Sequence, residues 1–143
     1  MKKELLFCVP FFLYFSAEDI ASRRVKNRGI FMAFAVILLI RTAEGGLAEL
    51  SADMAAVLPV LAAALMLCRR RLLGGADGKL LVLLAMAAEC RGFFIILAVT
   101  AFSAAAEALG IWCIRGRKPE TLPLVPHMTL ALILECLREY AGI

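Results

Sequence analysis

Asp77 stands in RRRLLGGADGKLL, residues 69–81, where arginines, glycines, an aspartate and a lysine interrupt an otherwise apolar sequence. A second aspartate in a similar setting, Asp19, closes the first apolar run. An ionisable side chain at the edge of a membrane helix is costly to bury, and function is the usual reason for keeping it. Two carboxylates that meet in a site of low dielectric cannot both ionise cheaply, so one keeps a proton while the other stays charged. The charged one can take a proton from water, and the protonated one can polarise a carbonyl. That is peptide hydrolysis with neither a metal nor a nucleophilic side chain. Rival chemistry is thin: the chain has a single histidine, no zinc-type motif and no serine–histidine constellation. Taken singly, each aspartate has a plain structural reading as a helix cap or an ion-pair partner, and Arg23 lies four residues after Asp19.

The elements that must position these acids are membrane helices. With 63% hydrophobic residues and a mean hydropathy of +0.89, the chain lies outside the range of soluble domains. We expect one all-α membrane domain over residues 1–143. Its apolar runs are Leu5–Ala17, Ile30–Ile40, Met54–Cys68, Leu80–Ala88, Phe93–Ile114 and Leu122–Leu134. The fourth is the weakest, since nine residues span only about 13 Å of a core of roughly 30 Å. It becomes a helix of useful length if it starts near Gly75 and ends near Glu89. The expectation is six short transmembrane helices whose polar ends snorkel or whose bilayer thins locally. The N-terminus has the build of a signal peptide, but Phe15 stands where a cleavage site wants a small residue, so it reads as an uncleaved first helix.

Net charge of +4 is not a nucleic-acid footprint here, because the basic residues cluster in short loops between apolar runs. Alternate loops hold eleven of the sixteen lysines and arginines. Those loops are therefore expected in the cytoplasm, with both termini outside. Run one then descends to the cytoplasm at Asp19, and run four begins from the cytoplasm at Asp77. Topology alone brings the two acids to one depth. The five cysteines lie far apart with no CxxC pair, and read as reduced packing residues.

Two motifs carry a family resemblance. DIASRRVKN, from Asp19, has an aspartate, a basic stretch, an aliphatic residue six positions on (Val25) and an asparagine eight on (Asn27). GGADGKLL, from Gly74, matches a GxGDxKL element at Gly74, Asp77, Lys79 and Leu80. Together they resemble the type IV prepilin peptidases, GxGD-type membrane aspartyl proteases, and PLVP at Pro123–Pro126 is similar to the proline pair before that family's last helix. The resemblance implies a leader peptidase of the prokaryotic cytoplasmic membrane, with Asp19 and Asp77 catalytic and no cofactor or metal. Its partners would be prepilin or pseudopilin precursors and membrane lipid, with no nucleic acid. Gly74, Gly75 and Ala76 would let an extended substrate backbone approach closely, with Lys79 and Asn27 in support. The chain departs from the pattern at Ala76, where the second glycine usually stands. A positive φ there would penalise alanine, whereas a need for smallness alone would not. It also lacks the cysteine-rich insert of members that methylate the new N-terminus, so no methyltransferase activity is expected.

Two other readings use the same residues. An inactive relative would bind pilin precursors as a scaffold, and a small multi-pass carrier would bind a cation through Asp77 and Glu107. Glu107 follows a small-residue face suited to close packing, so an interhelical hydrogen bond is the expectation there. His127 is expected to pack at the membrane interface, and Asn27 to steady the first loop by bonding backbone.

Overall fold

In lipid a backbone N–H or C=O finds no partner except in its own helix, so apolar runs flanked by charge become helices. The computed structural model describes residues 3–22, 25–71, 73–88, 90–116 and 122–142. Among these there are no strands. The helices are α1 (Lys3–Ser22), α2 (Asn27–Arg69), α3 (Gly75–Ala87), α4 (Cys90–Arg115) and α5 (Leu124–Tyr140). Because α2 is broken at Gly46 (φ 68°, ψ −175°), there are six helical segments, the expected number.

Their lengths differ from expectation. Three segments are long and apolar enough to cross a membrane: Leu5–Ser22, Asn27–Gly46 and Cys90–Arg115. Helix continues past the uncharged runs into polar ends, so the second run does not stop at Arg41 but carries on to Gly46. Met54–Arg69 is a shorter apolar helix, and α3, with 13 residues, is about 20 Å long at 1.5 Å per residue. The two arms of α2 share walls in reverse order. Phe34 lines one cavity with Leu61–Cys68, and Arg41 lines another with Ala56–Val60. The second arm therefore runs back beside the first.

The least conspicuous run of the sequence is the centre of the bundle. Gly78, Leu80, Val82, Leu83, Leu84, Met86 and Ala87 of α3 are all buried, on every side of the helix, as befits a segment that is apolar all round. At its far end the Met86 carbonyl, left open by the end of the helix, accepts from Arg41 Nη2 at 2.9 Å. Helix α1 contributes Leu5, Cys8, Phe12 and Phe15 to the core, spaced three and four apart on one face. Phe15 fits because residue 29 is glycine, where a Cβ would lie 2.8 Å from its ring.

Polar side chains tie helices together where a hydrophobic effect between them is lacking. Ser16 Oγ lies 2.6 Å from Thr129 Oγ1, which is also 3.0 Å from the Phe12 carbonyl, joining α1 to α5. Glu107 and His127 join α4 to α5 at 2.7 Å, the interhelical bond expected of Glu107. Glu135, fully buried, accepts from Arg138 Nε at 2.8 Å and Nη2 at 2.7 Å. Gly92 leaves room for it, since a Cβ there would stand 2.9 Å from Glu135 Oε1.

The fold-back of α2 depends on one backbone conformation that only glycine adopts freely. Gly46→Ala should cost about 1–3 kcal/mol, although a methyl group would meet no atom within 4 Å. Gly45→Ala, in helical backbone, should be neutral or raise stability by up to about 1 kcal/mol. Thermal unfolding of the two variants in detergent checks the contrast.

Candidate active site

Asp19 lies in the last turn of α1, three residues before the helix ends at Ser22. Asp77 lies in the first turn of α3. A short turn from α2 delivers it. Arg71 takes a left-handed conformation (φ 57°), and the N–H groups of Arg70 and Arg71 bond the carbonyls of Met66 and Cys68 at 3.1 and 3.0 Å, closing the helix. Gly74 then caps α3, and the Asp77 carboxylate reaches back to the Gly74 backbone N–H. That is the acidic half of a capping box, so the structural role foreseen for Asp77 is present.

Space around this turn is tight in one place and open in another. A Cβ at Gly74 would stand 2.6 Å from Asp77 Oδ2, whereas one at Gly75 would meet nothing within 4 Å. At Gly78 it would lie 2.9 Å from Cys68 Sγ, and that thiol donates to the Gly74 carbonyl at 3.6 Å. The end of α2 is thus the seat on which the Asp77 turn rests. Beside it an apolar cleft of about 270 Å³ is lined by Phe34, Leu61, Leu65, Cys68, Gly75 and Val82.

Asp19 acts on Asp77 through its charge. Asp77 lies outside the three helices long enough to span a membrane. Burial pushes its carboxyl up to about 6, the Asp19 charge adds to the rise, and the Gly74 N–H opposes it. Asp19 Oδ2 is buried and has no hydrogen-bond partner among the described residues. A buried acceptor left without a protein partner is rare and marks a place for water or a ligand. The arrangement is a half-buried acid that holds its proton more tightly than usual, within electrostatic reach of a second acid with an acceptor to spare.

A model of the type IV leader peptidase family matches residues 6–109. The chain belongs to that family. No curated protein matches it, and no solved structure does. The matched region of this leader peptidase homologue includes both aspartates and runs through most of α4, stopping short of α5 and its PLVP turn.

For the leader peptidase family's second motif, the structure answers the question raised by Ala76. It lies in the first helical turn of α3 without a positive φ, so alanine costs the backbone nothing there. Asn27 differs from expectation: its Oδ1 accepts from Lys79 Nζ at 2.7 Å, joining the first motif to the second. His127 is partly buried and carries the bond to Glu107. Arg23, considered as a partner for Asp19, lies outside the described residues. Among the described residues no cluster of three His, Cys, Asp or Glu could hold a metal.

The sequence reading passed over Glu18. Its carboxylate accepts from Tyr14 Oη at 2.7 Å, from the Lys26 backbone N–H at 3.2 Å and pairs with Lys26 Nζ at 3.0 Å. A tyrosine four residues before an acid is a visible helical pair; the bond to Lys26 needs the loop's closure and leaves no local signal.

Two measurements probe this turn. Gly74→Ala should displace the Asp77 carboxylate, whereas Gly75→Ala should leave unfolding within about 0.5 kcal/mol of wild type. Asp77→Asn tests the raised acid. Its folded value exceeds the unfolded one, so ionisation costs stability above about pH 6 and nothing below the unfolded value. The asparagine variant should therefore gain about 2 kcal/mol at pH 7.5 and lose that advantage near pH 3.5, read as paired melting curves.

Proposed function

We propose that this chain is a membrane aspartyl endopeptidase that removes the basic leader from prepilin-like precursors. Membership of the leader peptidase family supports the substrate class. One observation supports the mechanism: Asp77, its proton affinity raised by burial and by the Asp19 charge, is in electrostatic reach of a carboxylate with a buried, unpartnered oxygen. Asp19 Oδ2 holds the attacking water and takes its proton. Asp77 gives its own proton to the scissile carbonyl as the tetrahedral intermediate forms. Collapse of that intermediate returns a proton to the leaving amine, and the pair regains its starting state. This is the division of labour open to a pair of acids of which one holds its proton more tightly than an ordinary carboxyl does.

The surroundings fit the leader. The basic loops favour a site on the cytoplasmic face by the positive-inside rule, in keeping with the prokaryotic plasma membrane that the family resemblance implies. The open space at Gly75 admits an extended backbone, and the apolar cleft beside it is room for a side chain flanking the bond. Lys79 acts through Asn27 to hold the two motifs in register. The hydrolysis calls on no group beyond these side chains and water. Glu107 is engaged with His127, which disfavours the carrier reading in which it joins Asp77 at a cation.

Co-expression with a prepilin tests the proposal. Asp19→Asn and Asp77→Asn should each lower leader removal by at least about 1,000-fold while membrane insertion stays normal. Gly74→Ala should reduce it about tenfold or more through the displaced Asp77. Processing that survives in either asparagine variant rules out the pair.

A further inference from the structure

Helix α1 ends at Ser22 and α2 begins at Asn27, a few positions after Asp19. Lys26, just before α2, is bonded back to α1 through its backbone. Glu18 Oε2 accepts the Lys26 N–H at 3.2 Å, while Oε1 takes Tyr14 Oη at 2.7 Å and Lys26 Nζ at 3.0 Å. The Glu18 side chain is only 12% exposed, against 75% for Lys26. It is therefore held along α1 rather than waving in solvent. Lys26 directly precedes Asn27, and Asn27 accepts from Lys79, two residues after Asp77. A continuous line of bonds thus runs from the helix of one aspartate to the helix of the other: Tyr14, Glu18, Lys26 with Asn27, Lys79.

We propose that Glu18 is a positioning residue. It locks the first loop by the Lys26 backbone, sets Asn27 opposite Lys79, and so keeps Asp19 and Asp77 in register. The proposal rests on the peptidase reading above for its effect on rate, but not for its effect on structure. As an ion pair alone the contact would matter little, because exposed pairs contribute about 0–1 kcal/mol. Geometry matters more, since a displacement of about 1 Å at a catalytic group can cost about 100-fold in rate. What Glu18 contributes is reach, and its charge is secondary.

Reach and charge separate in two conservative variants. Glu18→Asp keeps the charge but withdraws the carboxylate by one methylene, beyond the Lys26 N–H. Glu18→Gln loses the charge but keeps an acceptor at the same distance. In lipid nanodiscs, Glu18→Asp should lower kcat for leader cleavage about tenfold or more, with KM within about threefold of wild type. Backbone hydrogen exchange should quicken in residues 25–30 and also in residues 75–80, across the Asn27–Lys79 bond. Glu18→Gln should keep kcat within about threefold of wild type and exchange slowly in both segments. Equal kcat in the two variants, or exchange at 75–80 untouched by Glu18→Asp, overturns the proposal. If wild type cleaves no prepilin, the peptidase reading fails while exchange at 75–80 still decides the role of Glu18.

Discussion

The cost of drawing an arginine into hydrocarbon fixes the depth of this site. Arg69, Arg70 and Arg71 end the second arm of α2, and all three are exposed. Charged ends of this kind stay at the water boundary, so the turn that follows must lie there too. Asp77 is only six residues beyond Arg71, in the first turn of the next helix. The acid is thereby held where one side of it is dry and the other is within reach of water. Half-burial raises its proton affinity without cutting it off from solvent, as the proposed hydrolysis requires. A deeper acid would stay neutral with no water to attack, and a shallower one would be ionised like any surface carboxylate.

Close packing supplies what depth alone does not. Gly78 lets the Cys68 thiol approach the start of α3, and Gly74 leaves the space that the Asp77 carboxylate occupies. Both glycines serve by absence of a side chain. The motif's alanine at position 76 lies in ordinary helix, which locates the demand for smallness at Gly74 and Gly78 and relaxes it between them. The family pattern is thus partly a record of steric needs and partly a record of chemistry, and in this chain the two can be told apart.

Much of this was legible in the sequence. Apolar runs bounded by charge gave six helical segments, because hydropathy reports the one term that dominates in lipid. Counting passages through the membrane led to the expectation of one depth for Asp19 and Asp77, and the structure has the Asp19 charge contributing to the raised Asp77 carboxyl. Long-range geometry was hidden. Nothing near Asn27 shows that its partner is Lys79, 52 positions on, and nothing near Glu18 shows that the chain returns to offer it the Lys26 N–H. Helix α3 forms close to the expected bounds, from Gly75 to Ala87, but its central place was hidden for a related reason. A short run looks weak when the measure is crossing a bilayer, yet shortness is no handicap to a segment surrounded by its neighbours.

That short central helix also explains how a motif at a helix start can hold an acid in place. At its start, Lys79 is tied to Asn27 at the beginning of α2. At its end, the Met86 carbonyl is tied to Arg41, later in the same arm. Asn27 and Arg41 are 14 positions apart, about 21 Å along that arm, and Lys79 and Met86 are seven apart, about 10 Å along α3, with the long Lys79 and Arg41 side chains making up the difference. One helix is therefore pinned at both ends to a neighbour of full span, like a strut bolted to a post. Sliding α3 by a single turn would break both bonds and move the Gly78 backbone off Cys68, so small displacements meet opposition from three points at once. The proton affinity of Asp77 depends on its depth and on the nearness of Asp19. A strut that cannot slide keeps both constant, leaving the first loop, held by Glu18, as the element whose order decides whether the second acid is in place.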